Sequence, residues 1–280
     1  MVAKLPFPQP CSVALVGTVV QERANGPNAQ YFSDLEAEWR QRVEQYLAER
    51  GNPETVPDWP DILGNRRRFL TLYDSPAEDS VQFPILNGLR ERKLRYCPSC
   101  GEEGTPNTLD HYLPKRAYPH FAITPANLTP MCDICQGIKG TQTLDDEGQR
   151  IYLHPYYDDF LAVQVLKLSI GRPLNAPEDF TLEPDPDLDD CLRELVQRHI
   201  DGLEMERRYG VFFRDEYMRL LHLATEAREA GTDIREDIPK FKRLHELRAA
   251  NVWPHLFYAA VLEDQELLDY LADGDLPGMR

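Results

Sequence analysis

Apolar positions recur at helical spacing over residues 28–50, where Phe32, Leu35, Trp39, Val43 and Tyr46/Leu47 share one face behind a capping Asn28. Gly51 stops this helix, and Pro53, Pro57 and Pro60 mark a loop. The proline-rich residues 1–27 read as irregular. Residues 62–73 and 85–96 read as two shorter, basic helices, whose arginine clusters are solvated faces or phosphate contacts. From residue 96 to 130 the helical period is lost among Gly, Pro, Thr and Asn. Alternation over residues 161–170 predicts a strand, ended by Gly171 and Pro173. The acidic residues 183–187 read as a linker. Residues 188–271 are mostly helical, with interruptions near Gly231, Pro239 and Pro254. On the first of these helices Leu192, Leu195, Val196, His199, Ile200 and Leu203 line one face, so His199 reads as a core or boundary residue. His222, His245 and His255 read the same way.

The pattern predicts an α+β protein, mostly helical, in three parts. Residues 1–95 form an N-terminal helical region, 96–158 a loop-rich module that needs more than an apolar core to hold it, and 159–280 a strand followed by a C-terminal helical region. With 280 residues, 42% of them hydrophobic and 28% charged, the chain can bury a core and is not a disordered polymer. Apolar runs fall well short of the roughly 20 residues a membrane span requires. Pro6, Pro8 and Pro10 interrupt the place where a secretory signal needs a continuous apolar stretch. The expectation is a cytoplasmic protein with no membrane partner.

A formal net charge of -16 argues against a chain that coats nucleic acid with its whole surface. The charge is uneven. Residues 61–140 carry ten basic against nine acidic residues, so this stretch alone does not repel a polyanion.

Four of the six cysteines form two Cys-x-x-Cys pairs, Cys97/Cys100 and Cys132/Cys135, with 31 residues between them. Each two-residue gap lets both thiolates of a turn point at one ion, and two such turns complete a tetrahedral Zn²⁺ site. Two disulfides fit poorly with adjacent-turn geometry and a reducing compartment. Four thiolates leave no open coordination position, so this zinc is expected to be structural. Cys11 and Cys191 are unpaired leftovers and read as ordinary buried thiols.

Between and just after the pairs lie Asp110-His111, Asn127 sixteen positions later, and Gln136 and Lys139. This arrangement, with Pro-Tyr-Tyr-Asp at 155–158, resembles the zinc-containing branch of the HNH endonuclease family over about residues 96–158. The resemblance implies a ββα-metal fold in which a hairpin, a loop and a short helix surround a divalent ion. His111 then corresponds to the general base, since a neutral imidazole can take a proton from water near pH 7. Asp110 corresponds to a ligand of a catalytic Mg²⁺ or Mn²⁺, which prefers hard oxygen donors. Asn127 corresponds to the residue that orients the hairpin and the base. Lys139, and with it Lys115 and Arg116, is suited to hold phosphate oxygens. Gln136 stands where His or Asn is usual as second protein ligand. Its amide oxygen can still ligate Mg²⁺ with less precise placement, and His120 or His154 are the alternatives.

The resemblance implies a metal-dependent nuclease acting on DNA, with RNA, including tRNA, as an alternative substrate. Its helical flanks resemble those of HNH subunits in Septu-type anti-phage systems, which implies a defence role beside an ATPase that delivers substrate to an otherwise acidic chain. The competing reading is a catalytically decayed, zinc-stabilised interaction module.

Overall fold

Several prolines that break the helical pattern in the sequence turn out to begin helices, where a missing N–H costs nothing. In the computed structural model, which describes residues 2–177 and 179–277, Pro239 and Pro254 occupy the first turns of their helices. The protein is a mostly helical α+β structure with two small antiparallel sheets of two strands each. No helix among the described residues is long and apolar enough to cross a membrane.

The chain forms two compact units. The one bearing the Asp-His pair comprises Leu5–Cys97 and Thr105–Asp158. It contains helices α1 (Ser12–Glu22), α2 (Ala29–Ala48), α3 (Arg66–Asp74) and α4 (Gln82–Arg90), strands β1 (Thr108–His111) and β2 (Leu128–Met131), and the short helix α5 (Asp133–Lys139). The reading of residues 1–27 as irregular is corrected by α1. Pro6, Pro8 and Pro10 precede the helix and Pro27 follows it, and between them Leu15, Val16, Val19 and Val20 form a buried helical stripe. Cys11, just ahead of the helix, and Cys191 are exposed, which corrects their reading as buried thiols. Residues 62–73 begin with a 3-10 turn, Pro60–Asn65, before α3 takes over. The helix expected over 85–96 starts three residues earlier and ends at Arg90. α2 ends at Ala48, ahead of the expected stop at Gly51, and the chain leaves it through Arg50 and Gly51, whose φ values are +56° and +69°. A Cβ at Gly51 would meet the Tyr46 hydroxyl at 2.6 Å.

Aromatic side chains fasten α2 and α3 to the loop that follows β1. Trp39 donates to the carbonyl of His120 at 2.7 Å and packs edge-on against Phe69, and the Tyr46 hydroxyl donates to the carbonyl of Ala126 at 3.2 Å. Leu86 and Leu89 of α4 pack with Leu109 and Leu128 of the β1–β2 pair. Tyr156, in the Pro-Tyr-Tyr-Asp stretch, donates to the carbonyl of Leu128 at 2.8 Å. The sheet therefore has helices and aromatic hydrogen bonds behind it, which fixes the direction of its polar side chains.

The other unit comprises residues 2–4, 98–104 and those from 159 on. It holds β3 (Leu166–Ile170) paired with β4 (Phe180–Pro184), then α6 (Asp190–Gly202), α7 (Met205–Glu229), α8 (Ile238–Glu246), α9 (Trp253–Glu263) and α10 (Gln265–Asp273). The strand expected over 161–170 is shorter, because Asp159–Ala162 makes a 3-10 turn. The reading of 183–187 as a linker is corrected at its start by β4, which takes in Glu183 and Pro184 and buries Leu182 across from Leu168, while 185–187 lie in the connection to α6. Asn251 organises the start of β3. It accepts from the N–H groups of Val165 and Leu166 at 2.7 and 3.2 Å and donates to the carbonyl of Val163 at 2.9 Å. His199 is buried and bonds the carbonyl of Ser99, the core role read from its helix face.

Candidate active site

The sulfurs of Cys97, Cys100, Cys132 and Cys135 all lie within 4.8 Å of one another, and none is in a disulfide. Thiolates about 2.3 Å from a tetrahedral ion sit roughly 3.8 Å apart, so this cluster fits a metal ion such as zinc. Local donors suit the charge of bound thiolates. The N–H of Cys132 points to the Cys97 sulfur at 3.3 Å, and that of Cys135 to the Cys132 sulfur at 3.4 Å. Arg208 of α7 donates to the Cys100 sulfur at 3.5 Å and pairs with Glu102.

Cys132 caps α5 and Cys135 lies in its first turn, so the cysteine cluster governs where the seven residues of α5 sit. A helix this short has no stability of its own. Its later residues face β1, which pairs with β2 in the register Asp110 to Thr129 and His111 to Leu128. Asp110, His111 and Gln136 line a cavity of about 270 Å³, rimmed by Tyr73, Lys115 and Arg116.

Asn127 is fully buried behind this cavity and closes the loop between the strands. Its side-chain oxygen accepts from the N–H of Leu113 at 2.7 Å, and its amide donates to the carbonyls of Leu113 at 3.0 Å and Phe121 at 3.3 Å. The same loop presents the carbonyl of Ala122 to Nε2 of His111 at 2.9 Å. A carbonyl only accepts, so Nε2 carries the proton and Nδ1 keeps its lone pair. Burial pulls the His111 pKa down to about 3, with Lys115 and Lys139 acting the same way against the Ala122 hydrogen bond. The ring is neutral at pH 7.

Lys139 is placed differently from the expectation that it holds phosphate. Its side chain is 1% exposed and lies behind the cavity, pairing with Oδ2 of Asp110 at 2.9 Å and donating to the carbonyl of His111 at 3.0 Å. Burial raises the pKa of Asp110, while Lys139 and the amide of Gln136 favour its charged form. Lys115 lines the cavity and is paired with Asp74 at 2.5 Å. Neither alternative histidine lines the cavity. His120 is buried edge-on against Trp59 beside Phe121, and His154 lies against Tyr112 and bonds the Tyr46 hydroxyl at 3.2 Å.

Sequence reasoning missed Tyr73. This α3 residue stands 4.4 Å from the His111 ring in an edge-to-face contact, and its hydroxyl donates to the carbonyl of Leu109 at 3.1 Å. Arg90 and Lys115 lie over its ring at 5.2 and 4.6 Å. Only its place at the end of an arginine-rich helix hinted at this role.

Two buried rings give stability a sign with pH. Burial also pulls the His120 pKa down to about 3, and neither of its ring nitrogens has a hydrogen-bond partner among the described residues. An unfolded histidine titrates near 6.5. Below that pH the unfolded chain binds protons that the folded chain refuses, so stability falls as pH drops from about 6.5 toward 3, by up to about 1.4 kcal/mol per unit for each ring. Urea unfolding at pH 7 and pH 5 is expected to show this loss in the wild type and a smaller loss in His120→Phe. Equal losses in the two would assign the acid sensitivity elsewhere.

No family model matches the chain, and no solved structure matches it. Over 63 residues, 22% of this chain, it is 43% identical to "Protein ea31" of Escherichia phage lambda. The match spans about a fifth of that protein, 21% of its length.

Proposed function

We propose that this chain is a divalent-metal-dependent endonuclease of the HNH type that hydrolyses phosphodiester bonds in DNA. The observation that carries this reading is one cavity bordered by Asp110, Gln136 and a neutral His111 of defined tautomer, with cationic side chains at its rim. Phosphodiester hydrolysis needs a deprotonated water in line with the leaving oxygen and positive charge around the phosphate. Nδ1 of His111 takes the proton from water once the anionic phosphate beside it offsets the burial that holds its pKa at about 3 in the free chain, and the Ala122 carbonyl steadies the imidazolium that forms. Asn127 holds the loop that carries this carbonyl. Lys115 and Arg116 receive the polyanion. A divalent ion held by Asp110 and Gln136 would supply charge neutralisation at the scissile phosphate. Delivery by a partner, such as an ATPase with a basic groove, suits a chain whose charge outside residues 61–140 is strongly negative.

The second reading, a zinc-stabilised interaction module, is favoured by the buried Asp110–Lys139 pair, which serves structure without any substrate. One assay separates the two. Supercoiled plasmid is expected to be nicked in Mg²⁺ or Mn²⁺ and spared in EDTA, with single-stranded DNA and RNA run beside it to set the substrate. Intact plasmid and intact oligonucleotides in every ion would leave the interaction module standing, and cleavage of RNA alone would move the assignment to a ribonuclease.

A further inference from the structure

We propose that the cavity binds no divalent cation by itself and takes one only together with a phosphate group of the substrate, because Lys139 already neutralises the carboxylate of Asp110. The inference rests on the nuclease reading and specifies how its ion arrives. Mg²⁺ and Mn²⁺ depend on anionic oxygen for affinity, and Asp110 is the single carboxylate lining the cavity. Its Oδ2 is 2.9 Å from the ammonium of Lys139, and both side chains are withdrawn from water, at 6% and 1% exposure. The ammonium cannot easily leave. It is also bonded to the carbonyl of His111 at 3.0 Å and lies over the face of Tyr152 at 5.8 Å. The neutral amide of Gln136 adds no charge.

An ion entering alone therefore meets a carboxylate whose charge is already balanced, with Arg116 and an Asp74-paired Lys115 at the rim. The positive charge of Arg116 opposes it. A phosphodiester reverses the balance. Its oxygens supply the missing anionic ligands and pair with the rim cations, so ion and substrate each raise the other's affinity by the same factor. The site is then inert toward free divalent ions and loads only when there is a bond to cut.

The test measures uptake of Mn²⁺ by the zinc-loaded full chain, read from loss of the free-ion electron paramagnetic resonance signal. His111→Ala is used so that nucleic acid is not consumed, and the same chain carrying Asp110→Asn is the reference. Without nucleic acid the two chains are expected to take up equal, small amounts. With saturating duplex oligonucleotide, one additional Mn²⁺ per chain is expected only where Asp110 is present. Lys139→Met, which frees the carboxylate, should raise Mn²⁺ affinity in the absence of oligonucleotide roughly ten- to a hundredfold. An Asp110-dependent site that is as tight without oligonucleotide as with it overturns the proposal, as does a folded Lys139→Met chain that gains nothing. Should Lys139→Met fail to fold, the comparison with and without oligonucleotide decides alone. Failure of the nuclease reading has a different signature: no Asp110-dependent uptake under any condition together with intact plasmid, which removes the proposal along with it. Plasmid cleavage combined with a tight free-chain site removes the proposal and leaves the nuclease.

Discussion

Stripping the metal from the four-cysteine cluster with a high-affinity chelator is expected to lower the thermal unfolding midpoint by roughly 20 °C, and restoring Zn²⁺ to recover it. Apparent binding free energy for a structural zinc at neutral pH is on the order of 10 kcal/mol, comparable to the whole stability of an ordinary domain. Lys139 ties the far end of α5 to β1, and the cluster holds its start. The helix that Cys132 caps is seven residues long and its first turn owes its position to the cluster, and Cys100 is one of the largely buried thiols that would be left with unbalanced polar surroundings. Arg208, buried and donating to the Cys100 sulfur, would lose the negative charge of a bound thiolate and keep only Glu102. Metal analysis of the purified chain should give one tightly held Zn²⁺. Removal of that ion with an unmoved melt, or a chain that never carries a thiophilic metal, would contradict this expectation. Cys135→Ser should reproduce the loss without chelator, because a serine oxygen is a poor replacement for a thiolate on zinc.

The second large effect is on activity. His111→Ala is expected to slow plasmid nicking by roughly 10²- to 10⁴-fold, the usual contribution of a placed general base. The reasoning lies in the hydrogen bond from Nε2 to the Ala122 carbonyl, which leaves Nδ1 as the acceptor. His111→Gln is the informative companion. Its amide nitrogen lies near the place of Nε2 and can still donate to that carbonyl, so the loop keeps a partner, yet it cannot take a proton from water. Both variants should retain zinc and a cooperative melt while losing the rate. Nicking that survives in both, at unchanged metal content, would take the imidazole out of the reaction.

The convergence of the cysteine pairs was legible because it is chemistry at a fixed spacing, and thiol side chains have few other reasons to cluster. Lys139 was legible only as a cation. Its actual partner is 29 positions away on β1, and sequence spacing says nothing about an ion pair formed by a helix docking on a strand. Tyr73 was hidden because one more aromatic residue in an amphipathic helix reads as core packing. The miss at β4 has the same root. Phe180–Pro184 runs into the acidic, proline-containing residues 183–187, yet its backbone pairs with β3 and buries Leu182, so the neighbouring strand overrode local composition. At the N-terminus, proline content masked α1, whose buried stripe starts two positions beyond Pro10.

The way Asn127 closes its loop divides that loop into a part that can vary and a part that cannot. One amide ties Leu113 at the start to Phe121 near the end, and Ala122 follows immediately as the acceptor for His111. Ala117, between these ties, is exposed and outside the knot. Extra residues inserted after it would lengthen an outward turn while the geometry around His111 stays put, whereas a single insertion between residues 121 and 127 would shift the acceptor relative to the ring. The turn is thus the place where this loop tolerates added length.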